Sequence, residues 1–127
     1  MDIQKFELEH KDITEKIIGA AFEVYRVLGY GFLEKVYQRA MELELQQAGL
    51  KAESERRITV IYKGANIGDY AADLLVEEKV IVELKVARNY VPEDEPQLLN
   101  ELKATGIRVG LLINFGRTRV EFKRLVF

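Results

Sequence analysis

The spacing of apolar residues changes from a helical to a strand-like pattern near the middle of the chain. Up to residue 48, apolar residues recur every three or four positions and predict helices over residues 12–28 and 33–48, each followed by a glycine. Asp12 and Glu15 form the pattern of a capping box, which predicts where the first helix begins.

From residue 57 onward, β-branched and aromatic runs predict strands, with one further helical segment between them. The predicted strands cover residues 57–62, 67–76, 80–86, 109–114 and 119–127, and the helix covers residues 95–105. The order ααβββαββ predicts an α/β fold with a mixed central β-sheet flanked by helices. We therefore expect a single domain over residues 1–127, of which residues 1–11 form a polar N-terminal segment.

Composition excludes several classes of function. Of the 127 residues, 48% are hydrophobic and 31% are charged, as is typical of globular proteins. The chain has no cysteine and one histidine, His10, which excludes disulfide frameworks, thiolate nucleophiles and multi-histidine zinc sites. The apolar runs are far shorter than the ~18 residues of a membrane span, and the polar N-terminus differs from a signal peptide. We therefore expect a cytoplasmic protein without a membrane partner.

Two acidic residues interrupt the apolar strands. Asp73 lies in the second predicted strand and Glu83 in the third, and burying a carboxylate is costly unless it is paired or bound to a cation. A hairpin loop centred on Glu78 places Asp73 opposite Glu83, with Cβ atoms about 4.5–5.5 Å apart. Lys85, two residues after Glu83, points to the same side of the sheet.

This cluster has two interpretations. Two carboxylates at that distance could hold Mg²⁺ or Mn²⁺, and a nearby lysine could assist a water or a phosphate oxygen. Alternatively, Asp73, Lys85 and Glu83 form a buried ion triad that only fixes the register of the strands. Two acids for one base leave surplus negative charge, which favours a cation at this position.

The same residues resemble a known signature. Asp73, followed after nine residues by Glu83-Leu84-Lys85, resembles the D…(D/E)xK motif of the PD-(D/E)XK nuclease superfamily, although Ala72 stands where a proline usually precedes the acid. The predicted elements around the motif also resemble the αβββαβ core of that superfamily. In addition, Gly31, Glu34 and Tyr37 form a G-x-x-E-x-x-Y pattern, which resembles the bacterial GxxExxY protein family, a branch of the same superfamily.

The resemblance implies roles for the residues that match the motif. It implies a divalent metal, Mg²⁺ or Mn²⁺, with Asp73, Glu83 and the backbone carbonyl of Leu84 as ligands, and it implies that Lys85 is the catalytic lysine. Glu34 matches an additional helical acid aimed at the metal and the chemistry. From the residues alone, the favoured interpretation of Glu34 is a first-turn glutamate that interacts with the helix dipole.

The helix after the motif carries one match and one departure. Gln97 matches a superfamily glutamine near the scissile phosphate, and its alternative role is that of an ordinary polar residue in a first turn. Related nucleases often carry a tyrosine four residues later, whereas this chain has Glu101. The departure places a negative charge near the expected path of the substrate.

Candidate substrate-binding residues lie in the second helix and at the C-terminal end. Tyr37 is expected to pack in the core, with its hydroxyl at the edge of the site. The net charge is −2, yet residues 103–127 hold six cations against one anion. Arg117, Arg119, Lys123 and Arg124 could contact backbone phosphates, or they could be a solvated strand edge.

Three hypotheses for function follow. The first is a divalent-metal-dependent phosphodiester hydrolase, a nuclease, which acts on nucleic acid through Asp73, Glu83 and Lys85. The second is a non-catalytic module that binds nucleic acid or a protein and retains the nuclease fold, and the third is a structural ion triad without a ligand. The resemblance also suggests a homodimer, because small nucleases of this type often act as dimers to reach both strands.

Overall fold

One mixed β-sheet with helices on both faces forms the fold, in a computed structural model that describes residues 9–127. A short 3-10 helix, Pro92–Asp94, precedes the third α-helix. In chain order the elements are α1 (Lys11–Leu28), α2 (Glu34–Gln47), β1 (Ala52–Tyr62), β2 (Ala65–Val76), β3 (Val80–Lys85), α3 (Glu95–Thr105), β4 (Val109–Phe115) and β5 (Val120–Val126). The predicted order ααβββαββ and the α/β fold class are confirmed.

The five strands lie in the sheet in their chain order, β1-β2-β3-β4-β5. Strands β1, β2 and β3 are antiparallel neighbours, β3 and β4 are parallel, and β4 and β5 are antiparallel. The parallel pair needs a crossover connection, which α3 provides. Because β3 and β4 run in the same direction, both strands end at the same edge of the sheet.

Each face of the sheet has its own hydrophobic core. Val80, Val82 and Leu84 of β3 pack on the face that α1 and α2 cover. Ile81 of the same strand packs on the other face, against Leu98 of α3. Because side chains alternate along a strand, the odd-numbered residues of β3 share the face of α3.

The start of β1 differs from its prediction. The strand begins at Ala52, five residues before the predicted start, and pairs Ala52 with Val76 at the far end of β2. Residues 53–57 are all polar, so they lack the β-branched pattern that predicts a strand. Pairing with β2 nevertheless makes them extended, and ion pairs such as that of Arg56 with Glu53 line this exposed edge.

The start of α1 also differs. The helix begins at Lys11, and the residue before it, His10, has a left-handed φ of 56° without a side-chain cap. The predicted capping box is therefore wrong. Asp12 lies one residue inside the helix, in the first turn, where an acid interacts favourably with the helix dipole. Residues 1–8 of the predicted polar segment lie outside the described residues.

Helix α1 is 18 residues long and amphipathic, with Ile13, Ile17 and Val24 among its buried residues. Within residues 9–127, no helix is both long enough and apolar enough to cross a membrane.

Gly116 is expected to be essential for stability. A Cβ atom at this position would lie 2.7 Å from the carbonyl oxygen of Arg119 and 3.2 Å from that of Arg88, both in the backbone. We expect Gly116→Ala to lower the free energy of unfolding by about 2 kcal/mol, because neither backbone can move without breaking the turn. Urea unfolding measures this change. Gly19→Ala is the control, because this exposed helical position is open and alanine should stabilise α1 by up to about 1 kcal/mol.

Candidate active site

Asp73 and Glu83 lie side by side where β2 and β3 separate. The two strands pair Val76 with Val80, and the last pair is Leu74 with Val82, which is the predicted register around Glu78. At the next position, which holds Asp73 and Glu83, backbone N–H groups bond carboxylate oxygens instead of backbone carbonyls. The Leu84 N–H donates to Asp73 Oδ2 over 2.7 Å, and the Asp73 N–H donates to Glu83 Oε1 over 3.4 Å.

A third carboxyl group, that of Glu101, meets this pair from α3. Glu101 is only 4% exposed and Glu83 only 8% exposed. Burial raises the pKa of Glu83 well above its usual range, and the adjacent Glu101 and Asp73 raise it further. Burial also raises the pKa of Glu101. We call Asp73, Glu83 and Glu101 the carboxyl cluster.

Lys85 lies at the end of β3, half-buried on the same face as Glu83. It forms no ion pair within 4.0 Å in the part of the chain that the structure describes. Its charge nevertheless acts on Glu34 and Glu101, because it lowers the pKa of both carboxyls against the effect of burial. The direct ion triad of Asp73, Lys85 and Glu83 is therefore absent from the structure.

Glu34, the first residue of α2, faces the cluster from the other side. Burial raises the pKa of Glu34, and the negative charge of Asp73 raises it further, whereas Lys85 lowers it. The charges of Asp73 and Lys85 thus act on Glu34, although α2 itself packs on the opposite face of the sheet. The N-terminal end of α2 thus reaches the edge of the sheet where β3 ends.

A family model described as the PD-(D/E)XK nuclease superfamily matches residues 11–125. The chain belongs to this superfamily. The crystal structure of SSO0001 has a similar fold, with a TM-score of 0.57 and 17% sequence identity over 94% of this chain. The chain spans 60% of the length of that protein. No curated protein sequence matches the chain.

In this PD-(D/E)XK chain, Tyr37 shapes the loop that precedes Glu34. The Tyr37 ring is fully buried and stacks on Phe115, with 4.3 Å between ring centroids. Its hydroxyl donates to the carbonyl of Gly29 and accepts from the Phe32 N–H. The expectation that Tyr37 contacts substrate is corrected, because a fully buried ring has no surface for it. Its packing role agrees with the sequence interpretation.

Two polar side chains that sequence reasoning missed hold the backbone around the cluster. The Gln38 amide, on α2, donates to the carbonyl oxygen of Asp73 over 2.8 Å. Asn114, opposite Lys85 in the register of β4, bonds both the N–H and the carbonyl of Ala87 over 2.9 Å. Both residues are buried polar groups, and Asn114 lies in an otherwise apolar strand, which is the signal that could have identified it.

Gln97 is exposed on the first turns of α3 and donates to Glu101 Oε2 over 3.3 Å. This hydrogen bond places Gln97 next to Glu101, and its contact with a scissile phosphate stays a prediction. Leu84 presents only its backbone to the carboxyl cluster, because its side chain is fully buried on the face of the sheet that α1 and α2 cover.

The basic residues near the C-terminus divide between the two faces of the sheet. Arg117 and Arg119 are exposed just after β4, at the edge where β3 also ends, and Lys123 pairs with Leu112 on the face of Glu83. Arg124 instead pairs with Leu111 on the opposite face and donates to the carbonyl of Glu9. Strand alternation therefore turns the Arg124 side chain away from the face of Glu83, and its contact with backbone phosphates stays a prediction.

The carboxyl cluster fits a hard divalent cation. PD-(D/E)XK nucleases generally use divalent metals. Within residues 9–127, no three acidic or histidine side chains already surround a common metal position. Mg²⁺ does not require such a cage, because one or two carboxylates with water and phosphate oxygens suffice. Asp73 and Glu83 provide two carboxyl groups at this position. In addition, the buried Oε1 atom of Glu101 has no hydrogen-bond partner among the described residues.

Glu101→Gln should stabilise the protein in metal-free buffer. Because the pKa values of Glu83 and Glu101 are raised, the folded cluster keeps a proton at a pH where the unfolded chain, with ordinary pKa values of 4.5, has released it. The free energy of unfolding therefore falls as the pH rises above 4.5. An amide of the same shape removes one buried charge, and we expect a gain of about 1 kcal/mol at pH near 8 that shrinks toward pH 5. Urea unfolding with a chelator measures it. Glu93→Gln, at an exposed carboxyl, should change nothing.

Proposed function

We propose that the chain is a divalent-metal-dependent phosphodiesterase that cleaves nucleic acid. The observation that carries this proposal is the carboxyl cluster, whose charge no direct ion pair with Lys85 offsets. A register-fixing triad would hold the Lys85 ammonium against Asp73 and Glu83, and the structure has no such contact. Membership of a nuclease superfamily makes a metal ion the natural counter-charge.

Mg²⁺ or Mn²⁺ is the proposed ion, held by Asp73, Glu83 and the backbone carbonyl of Leu84. Once bound, such an ion supplies an acidified water and positive charge beside a phosphate oxygen. Lys85 then orients the attacking water and stabilises negative charge that develops on the phosphate. Glu34 approaches from α2 as an additional acid, and Gln97 positions the phosphate from the rim.

We also propose that the chain belongs to the GxxExxY branch of the superfamily. Each signature residue has a structural reason. Gly31 has a positive φ of 109° in the loop between α1 and α2, Tyr37 bonds that loop, and Glu34 follows it toward the cluster. The motif therefore encodes the placement of one acid rather than a separate function.

Cleavage of end-labelled DNA and RNA tests the proposal. Single-stranded, duplex and branched substrates are incubated with Mg²⁺ or Mn²⁺, with chelator, and with the Asp73→Ala variant. We expect turnover of at least one substrate only with metal and only in the wild type. Equal cleavage by Asp73→Ala would show that another site, or a contaminant, is responsible.

A second candidate is a binding module that has the nuclease fold without turnover. Glu101 favours it, because this acid replaces a tyrosine of related nucleases and adds negative charge beside the expected phosphate position. Saturable binding of nucleic acid, with no cleavage under any divalent metal, would support this candidate. Arg117, Arg119 and Lys123 are the proposed phosphate contacts in both cases, and a homodimer remains a proposal for either.

A further inference from the structure

Two loops meet at the edge of the sheet where the parallel strands β3 and β4 end. The strand register pairs Lys85, the last residue of β3, with Asn114 in β4. Three residues after each member of this pair, the chain reaches Arg88 and Arg117. The Arg117 N–H donates to the carbonyl oxygen of Arg88 over 3.2 Å, so the backbones of the two arginines remain side by side beyond the sheet.

The backbone that carries the two arginines is held by specific hydrogen bonds. Asn114, only 2% exposed, bonds both the N–H and the carbonyl of Ala87 over 2.9 Å. The Tyr25 hydroxyl donates to the carbonyl of Gly116 over 2.7 Å, and the Gly116 N–H donates to the carbonyl of Arg119 over 3.0 Å. The residue before each arginine is therefore fixed, and a fixed backbone lowers the entropy that is lost when the side chains bind a ligand.

The two loops are basic within an acidic chain. Residues 86–91 and 116–119 hold three arginines and no acid, whereas the whole chain has a net charge of −2. Arg88 and Arg117 are both exposed. Neither forms an ion pair within 4.0 Å in the part of the chain that the structure describes, residues 9–127. The positive charge of this arginine pair is therefore available to an anionic ligand.

A phosphate is the anion that fits this pair and its position. A guanidinium group is always charged and can bond two phosphate oxygens at once. Arg88 follows Lys85 by three residues, so their Cα atoms are at most about 11 Å apart. A strand of a duplex carries one phosphate per roughly 3.4 Å of axis. A strand whose reacting phosphate lies at the carboxyl cluster therefore has a second phosphate at the distance of the arginine pair.

We propose that Arg88 and Arg117 together bind an internal phosphate of the substrate strand, a few nucleotides from the phosphate at the carboxyl cluster. This inference rests on the proposed function, and it adds Arg88 as the partner of Arg117. The arginine pair contacts the backbone of the nucleic acid and no base, so it holds the strand without sequence preference.

Binding of a fluorescein-labelled oligonucleotide of about 16 nucleotides tests the arginine pair without turnover. Single-stranded and duplex forms are titrated into the full chain with chelator at low salt, and fluorescence anisotropy gives the Kd. We expect Arg88→Ala and Arg117→Ala each to raise the Kd roughly fivefold or more, equally for oligonucleotides of different sequence. The slope of log Kd against log salt should fall by about 0.7–0.9 for each arginine removed.

Two further variants control for charge and geometry. Lys79→Ala removes an exposed cation from the turn before β3, at the opposite edge of the sheet, and should leave the Kd within about twofold of the wild type. Arg88→Lys keeps the charge but not the planar fork, so it should recover only part of the affinity. A Kd for Arg88→Ala equal to that of Lys79→Ala would overturn the proposal, as would the absence of wild-type binding to both forms.

Uncharged methylphosphonates at single positions identify the contacted phosphate. At one internal position, the replacement should weaken binding by the wild type but not by the Arg88→Ala, Arg117→Ala double variant, because the contact is already lost. If every replacement weakened both proteins equally, or only a terminal phosphate mattered, the proposed internal site would be wrong.

The two proposals fail in different ways. Binding that depends on Arg88 and Arg117, without cleavage under any divalent metal, would retain the phosphate site and remove the nuclease activity. Cleavage that depends on metal and Asp73, with an unchanged Kd in Arg88→Ala, would retain the nuclease and overturn the phosphate site.

Discussion

Lys85→Met should abolish metal-dependent cleavage, with an expected loss of about 10³-fold or more in kcat. Methionine has nearly the same length and keeps the packing of the half-buried stem, but it has no charge and no donor. The charge of this amine lowers the pKa of both Glu34 and Glu101. Single-turnover cleavage of a labelled oligonucleotide measures the chemical step.

Lys79→Met provides the matched control, because Lys79 is an exposed lysine in the turn between β2 and β3. This control should cleave at the wild-type rate. Metal binding by Lys85→Met should persist, since the lysine is not a ligand. Cleavage by Lys85→Met within about threefold of the wild type would exclude the proposed role of Lys85.

Tyr37→Ala should cause the largest loss of stability of any variant considered. The ring is fully buried, stacks on Phe115, and bonds the loop at Gly29 and Phe32. Truncating a buried aromatic ring leaves a cavity, and we expect the free energy of unfolding to fall by about 3–5 kcal/mol. Tyr37→Phe keeps the ring and should cost only about 1–2 kcal/mol, for the lost hydroxyl contacts.

Urea unfolding of both variants measures these losses. Tyr62→Ala is the control, because Tyr62 is 57% exposed at the tip of the β1–β2 hairpin and should change stability by less than about 0.5 kcal/mol. If Tyr37→Ala lowered the free energy of unfolding no more than Tyr62→Ala does, that result would contradict the buried position of Tyr37.

The sequence predicted the fold because most elements carry their own periodicity. Strands β3 and β4 are nearly continuous apolar runs, and α1 has an apolar stripe, so local patterns suffice. The first half of β1 has no such pattern. Its residues are extended because β2 pairs with them, and that information is not local. The failed capping box has a similar origin, since His10 takes a left-handed conformation that no spacing rule indicates.

The part of the candidate site that lies on one hairpin could be predicted from the sequence. Counting from Glu78 places Asp73 beside Glu83, because a short turn fixes the register of two antiparallel strands. Glu101 joins the cluster through a parallel crossover, whose geometry is not readable from spacing. The sequence groups Arg124 with the other basic residues near the C-terminus by charge, whereas strand alternation turns its side chain to the opposite face of the sheet.

Calorimetric titration of Mg²⁺ and Mn²⁺ into the wild type and Asp73→Ala tests whether the carboxyl cluster binds a metal ion. Asp69→Ala is the matched control on the same strand, since Asp69 is a surface acid that bonds Thr59. We expect metal binding in the wild type and in Asp69→Ala, and its loss in Asp73→Ala. Undiminished binding in Asp73→Ala, or none in the wild type up to about 10 mM metal, would contradict a metal site at the carboxyl cluster.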